Sequence, residues 1–141
     1  MNKKAEIFQK YLKDGHENEF FVDDIKDAHN TVAFRTNITI KGKQLPAFVF
    51  TDDSDFVVLG AQIAGHALNA ENEQALLKLV NEENAKYKPF KLFFDENGSL
   101  IVHACLIMTE AEFKVNKIYS MFDLVDRFLN DSYDNLMDAL K

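Results

Sequence analysis

The stretch FKLFFDENGSLIVHACLIM, residues 90–108, decides how this chain is read. Asn97-Gly98 is a strong hairpin signal, because both central residues of a type I′ turn need positive φ. A two-residue loop there pairs Glu96 with Ser99, Phe94 with Ile101, Leu92 with His103 and Phe90 with Cys105. Directly opposed residues share a face. The expected surface is therefore Phe90, Leu92, Phe94, Ile101 and Ile107, with His103 and Cys105 set among them. A nucleophilic thiol needs an electropositive, partly exposed setting, and a metal site needs three or four ligands. Neither is present nearby in sequence, so His103 and Cys105 read as core, the thiol packing as a small hydrophobe.

On the same pairing the other face of the hairpin carries Phe93, Leu100, Val102, Ala104, Leu106 and Met108, diluted only by Lys91 and Asp95. A strand with water at its back should alternate apolar and polar residues. This one hardly does.

Working outward, TVAFRTNITIK (31–41) has a clear period of two, with Val32, Phe34, Thr36, Ile38 and Ile40 on one side. A turn at Gly42-Lys43 leads into QLPAFVFT and places Phe48 and Phe50 opposite Asn37 and Arg35, away from the Ile38/Ile40 side. Asp52-Asp53-Ser54-Asp55 makes a second turn before FVVLGAQIAG, completing an antiparallel meander. FFVDDI (20–25) reads as a further short strand. Helical spacing appears in three places. Ala5, Phe8, Tyr11 and Leu12 form the first stripe, with Gly15 as its cap; Leu76, Leu77, Leu79 and Val80 form the second. The third, from Val115 to Lys141, runs through Ile118, Phe122, Val125, Leu129, Leu136 and Leu140. The expectation is one domain over residues 1–141, of α+β class. It has two layers, an antiparallel sheet of about five strands with three helices, in the order α-βββ-α-ββ-α.

Composition bounds the function. A chain of 141 residues that is 47% hydrophobic and holds 13 Phe can close a real core. With 23 acidic against 16 basic residues its net charge is −7, which repels phosphate and argues against nucleic acid or an anionic membrane as partner. A single Cys allows no intrachain disulfide, and no apolar run is long enough to span a bilayer, so a cytoplasmic location is expected. Aligning Gly98 with the glycine of an EF-hand loop puts Phe93 and Ala104 at the first and last ligand positions, which excludes that calcium motif. Asp23, Asp24 and Asp27, like Asp52, Asp53 and Asp55, read as turn residues. His16, His29 and His66 are scattered, and no phosphate-binding glycine loop or nucleophile elbow occurs. No catalytic residue, cofactor or metal ligand is assigned.

The segment LLKLVNEENAKYKPFKLFFDENGSLIV (76–102), with Asn81 and Asn84 late in its helix and a strand, Asn-Gly turn and strand after it, resembles the YbjN-type family. The order of elements across the rest of the chain fits as well. That family has the architecture of type III secretion chaperones. The resemblance implies a compact two-layer domain with a sheet open on one side, often dimeric. It also implies a binding role, chaperone-like or regulatory, and brings no catalytic residues. The functional expectation is a non-enzymatic module that binds a protein, a peptide or a second copy through Phe93, Leu100, Val102, Leu106, Phe48 and Phe50. The alternative is a small-molecule-binding or enzymatic domain with a pocket between the sheet and the C-terminal helix, its polar groups converging on His103.

Overall fold

The structure, a computed structural model, describes residues 1–140. Its elements are α1 (Lys3–Lys13), β1 (Phe21–Asp24), β2 (Val32–Ile40), β3 (Lys43–Thr51), β4 (Phe56–Ala64), α2 (Glu73–Lys86), β5 (Lys91–Phe94), β6 (Leu100–Ile107) and α3 (Val115–Ala139). The strands form one antiparallel sheet in the order β1-β2-β3-β4-β6-β5. The α+β expectation holds; the short segment at 21–24 makes the sheet six-stranded.

Hydrophobic burial places all three helices on one face. Ala5, Phe8 and Leu12 of α1, Val80 of α2, and Ile118, Val125, Leu129 and Leu136 of α3 pack in one cluster with Phe34, Val49, Leu59 and Val102 of the sheet. Phe8 stacks on Phe34 with ring centroids 4.5 Å apart. Helix α1 starts cleanly because the Asn2 side chain accepts from the Ala5 N–H and its amide donates to the Asn30 carbonyl and Thr51 Oγ1. Helix α2 is tied to the sheet edge by Asn84, whose side-chain amide accepts from the Leu92 N–H (2.7 Å) and donates to the Leu92 carbonyl (3.1 Å). It thereby acts as a one-residue strand along β5.

Two turns decide which residues share a face. The β2–β3 turn is centred on Lys41-Gly42, with φ of 49° and 80°, one residue earlier than expected. Phe48 consequently pairs with Arg35 and Phe50 with Ala33. This register differs by two from the expected one, so the faces are unchanged: Phe48 and Phe50 do point away from Ile38 and Ile40.

The β5–β6 turn differs more. Gly98 N–H donates to the Asp95 carbonyl and Asp95 N–H to the Ser99 carbonyl, both at 3.0 Å, and Gly98 alone in this loop has positive φ, at 71°. The Asp95 carboxylate accepts from the backbone N–H groups of Asn97 and Ser99 at 2.9 Å each. This is a three-residue loop with a bulge rather than a type I′ turn. It pairs Phe94 with Leu100, Leu92 with Val102 and Lys91 with His103, a slip of one residue. A slip of one exchanges the faces of one strand relative to its partner. Leu100, Val102 and Ala104 are therefore buried under the helices at 0–1% exposure, while His103 is half-buried and Cys105 exposed on the other side. The placement of His103 and Cys105 in the core is corrected, and so is the placement of Leu100 and Val102 on an open face.

The loop geometry makes a specific demand on each residue. Gly98→Ala should lower unfolding free energy by about 1–2 kcal/mol, the cost of forcing a Cβ into left-handed backbone. Asn97→Ala should stay within about 0.5 kcal/mol, since that residue needs no positive φ. Urea denaturation of the two variants against the parent checks both.

Candidate binding face

The face turned away from the helices carries a ladder of residues in register across all six strands: Phe21, Arg35, Phe48, Gly60, His103 and Lys91, from β1 through β5. Two of its side chains, Phe48 and His103, gather with two neighbours into an aromatic row. Phe93 meets His103 edge-on at 5.1 Å between centroids, His103 meets Phe48 at 5.7 Å, and Phe48 stacks on Phe50 at 4.7 Å. Lys91 Nζ lies 5.3 Å from the Phe93 ring centroid. The row closes over β4 only because Gly60 has no side chain there. A Cβ at Gly60 would sit 2.0 Å from the Val102 carbonyl oxygen and 3.2 Å from Phe48 Cζ.

Around this row the face is apolar and wet. Phe21 is 69% exposed, and the cross-strand pair Phe56 and Ile107 are 48% and 73% exposed. Ile25 is also exposed, and Val58 is half-buried. Single exposed hydrophobics are ordinary, but a contiguous set on one side of a sheet is not. Charged groups on the face include Lys91 on the β5 edge and, toward β1, Arg35 and Asp23, the guanidinium reaching Asp23 Oδ2 at 3.3 Å.

A groove of about 440 Å³ crosses one end of this face. Its walls are Ile25, Phe50, Phe56 and Val58, and Thr31, Arg35, Asp52 and His103 supply its polar groups. Burial, with Lys91 nearby as a lesser cause, holds the His103 imidazole below its ordinary pKa of 6.5, so its neutral form is favoured.

Of the residues read from the sequence as partner-binding, Phe48, Phe50 and Phe93 lie here. Leu100 and Val102 do not, and Leu106 is half-buried against the helix-side core. Sequence reading missed Phe21, Ile25, Phe56, Ile107 and His103. For Phe56 the signal was present, since alternation through FVVLG puts it with Val58; for His103 only the turn geometry could have revealed it.

His103 also lies on the face opposite α3, so a pocket between sheet and α3 cannot draw on it. The cavity that does border both is about 350 Å³, lined by Phe20, Thr36, Ile38 and Phe122 together with Glu19 and Tyr119. There the Tyr119 hydroxyl donates to Glu19, whose other oxygen lies 2.9 Å from His16 Nδ1. These hydrogen bonds, Tyr119's first and His16's second, hold the Glu19 carboxyl below its usual range. Burial, and then Glu19, raises the Tyr119 phenol well above 10. Among the described residues no group of three or more His, Cys, Asp and Glu side chains is placed to hold a metal ion, and no helix is long and apolar enough to cross a membrane.

Comparison with protein-family models, with curated proteins and with solved structures finds no match for this chain.

Two outcomes test the face itself. Because the folded His103 pKa lies below the unfolded value, folding excludes a proton. Stability should be full above pH 6.5 and fall as pH drops from there toward the folded pKa, and His103→Phe should remove that part of the slope in thermal melts between pH 7.5 and 5. Gly60→Ala should cost about 1–3 kcal/mol by overpacking against β6 backbone, read as a lowered melting temperature.

Proposed function

We propose that this chain is a non-enzymatic binding module, chaperone-like or regulatory, that captures a protein or peptide on the open face of its sheet. The observation that carries this reading is the aromatic row of Phe93, His103, Phe48 and Phe50, half-buried by mutual packing and bordered by exposed Phe21, Phe56 and Ile107. Covering such a surface removes apolar area from water at about 25 cal/mol per Å². Four long strands about 4.8 Å apart and about 28 Å long, with two shorter ones beside them, offer on the order of 700 Å². That is close to one partner's share of a standard interface, about 800 Å². The resemblance of residues 76–102 to the YbjN-type family supports the same reading, and a homodimer is one form it can take.

A second reading, a small molecule held between the sheet and α3, is favoured by the cavity beside Tyr119 and Glu19. Its one carboxylate and its phenol are already bonded to each other, leaving Asn18, Thr36 and Asn37 for polar recognition, so the apolar face is preferred.

The sole cysteine supplies the test, because Cys105 is exposed on the proposed face. A thiol-attached photo-crosslinker at Cys105 should capture a discrete partner from extract. The same reagent at position 77, in a Leu77→Cys/Cys105→Ser variant, reports the helix side and should not. Phe48→Ser with Phe93→Ser should leave the circular dichroism spectrum unchanged and cut capture about ten-fold, as expected for anchor residues. Equal capture from both positions would refute the reading.

A further inference from the structure

The charge around the groove identifies the chemistry of its occupant. The groove lies where β2 and β4 begin and β1 and β3 end, and three acidic segments converge there. The Asp53 N–H donates to the His29 carbonyl (3.1 Å), Asn30 donates to the Asp53 carboxylate (2.6 Å), and the Met108 N–H donates to the Asp55 carbonyl (2.8 Å). These bonds bring the loops after β1, β3 and β6 to one end of the sheet. Asp24 ends β1 and Asp27 lies in the loop after it; Asp52, Asp53 and Asp55 come from the second loop, and Glu110 and Glu112 from the segment after β6.

Several of these carboxylates are bonded to neutral donors that leave their charge in place. Asp27 accepts from the backbone of Thr31 and His29, Asp52 from the Ser54 N–H and hydroxyl, and Glu112 from the Thr109 hydroxyl. The nearest ammonium, Lys4, is buried beneath the second loop, donates to the Ser54 and Phe56 carbonyls and offsets part of the charge of Asp52, Asp53 and Asp55. The other cations here are Lys26 and Lys114 on these segments, Lys3, which is paired with Glu6, and Arg35 in the groove, which is paired with Asp23. Asp52 lines the groove itself, across from Arg35, and also borders the adjoining cleft, where Asp53, Asp55 and Glu110 outnumber Lys3 and Lys4, so the apolar groove has net negative charge beside it at this end of the sheet.

We propose that the groove takes an extended segment of another protein in which bulky apolar side chains are followed by Lys or Arg, the apolar part lying against Phe50, Phe56 and Val58 and the cations on the acidic rim. The inference rests on the open-face reading and adds the partner's chemistry to it. A second copy of the chain is disfavoured as occupant, since each copy brings a net charge of −7. The acidic rim likewise disfavours an amphipathic anion.

The test pans a random peptide library of about twelve residues, enough to cross the sheet, on the full chain with counter-selection on Phe56→Ser. Enriched peptides should combine aromatic or aliphatic residues with Lys or Arg and lack Asp and Glu. By fluorescence anisotropy, a labelled member should lose about ten-fold in affinity on Phe56→Ser. It should lose about five-fold on Asp55→Asn with Glu110→Gln, and a similar factor between about 50 and 500 mM salt. Circular dichroism establishes that each variant is folded. Peptides that need Phe56 but are neutral or acidic, and insensitive to salt, would overturn the cationic assignment while leaving the open-face reading standing. Failure to enrich anything that distinguishes Phe56→Ser from the parent would overturn both. Concentration-dependent dimerisation abolished by Phe56→Ser would assign the face to a second copy and overturn the proposal.

Discussion

The parity of the β5–β6 hairpin is the constraint on which the rest depends. The Asp95 carboxylate, accepting from two backbone N–H groups, and the left-handed backbone of Gly98 hold a three-residue loop. With one residue fewer in that loop, His103 and Cys105 would face the helices and Leu100 and Val102 would face water. As built, β6 contributes its uninterrupted aliphatic side to the core and its imidazole and thiol to the outer surface. Hydrophobic burial then reinforces the choice, because Leu100, Val102 and Ala104 fill space in the helix-side core that His103 could fill only by desolvating its ring.

How much was legible in the sequence follows from the same geometry. Strand β2 reads correctly residue by residue because its period of two is pure: every even side chain from Val32 to Ile40 is apolar or Thr, and the helices cover that side. Helices α1 and α3 read from stripes that are also buried. The β2–β3 turn was misplaced without consequence, because moving it by one residue shifts the register by two and preserves faces. The β5–β6 turn was misread with consequence. Asn-Gly suits both a type I′ turn and the end of a type I turn with a bulge, and the residue that decides is Asp95, whose side chain bonds the loop from within. Both faces of β6 being apolar removed the usual check, so nothing in the pattern of residues 100–107 opposed the wrong parity. The site residues inherited the error: Phe48, Phe50 and Phe93 came from strands whose faces were read correctly, whereas Leu100 and Val102 came from the strand that was not.

The outer face is built around an omission. Gly60 sits in the middle of a ladder whose other members carry large side chains, and its lack of a Cβ lets Phe48 and His103 reach one another across β4. The rings fill each other's spare surface and hold one another in place, which would lower the entropy lost if a partner docked there. Preorganised aromatics beside freely exposed Phe56 and Ile107 make a surface with a fixed centre and adaptable margins.

Asn84 gives the two rims of the sheet unlike fates. By occupying both outward-pointing groups of Leu92 it guards the middle of the β5 edge, while β1 on the far side has no such guard among the described residues and relies on brevity and on Asp23 and Asp24. The closure belongs to α2, not to β5 itself, so it lasts only as long as that helix stays seated. Partial detachment of α2 under heat or denaturant would unseal a second strand border, next to Phe93 and Phe94.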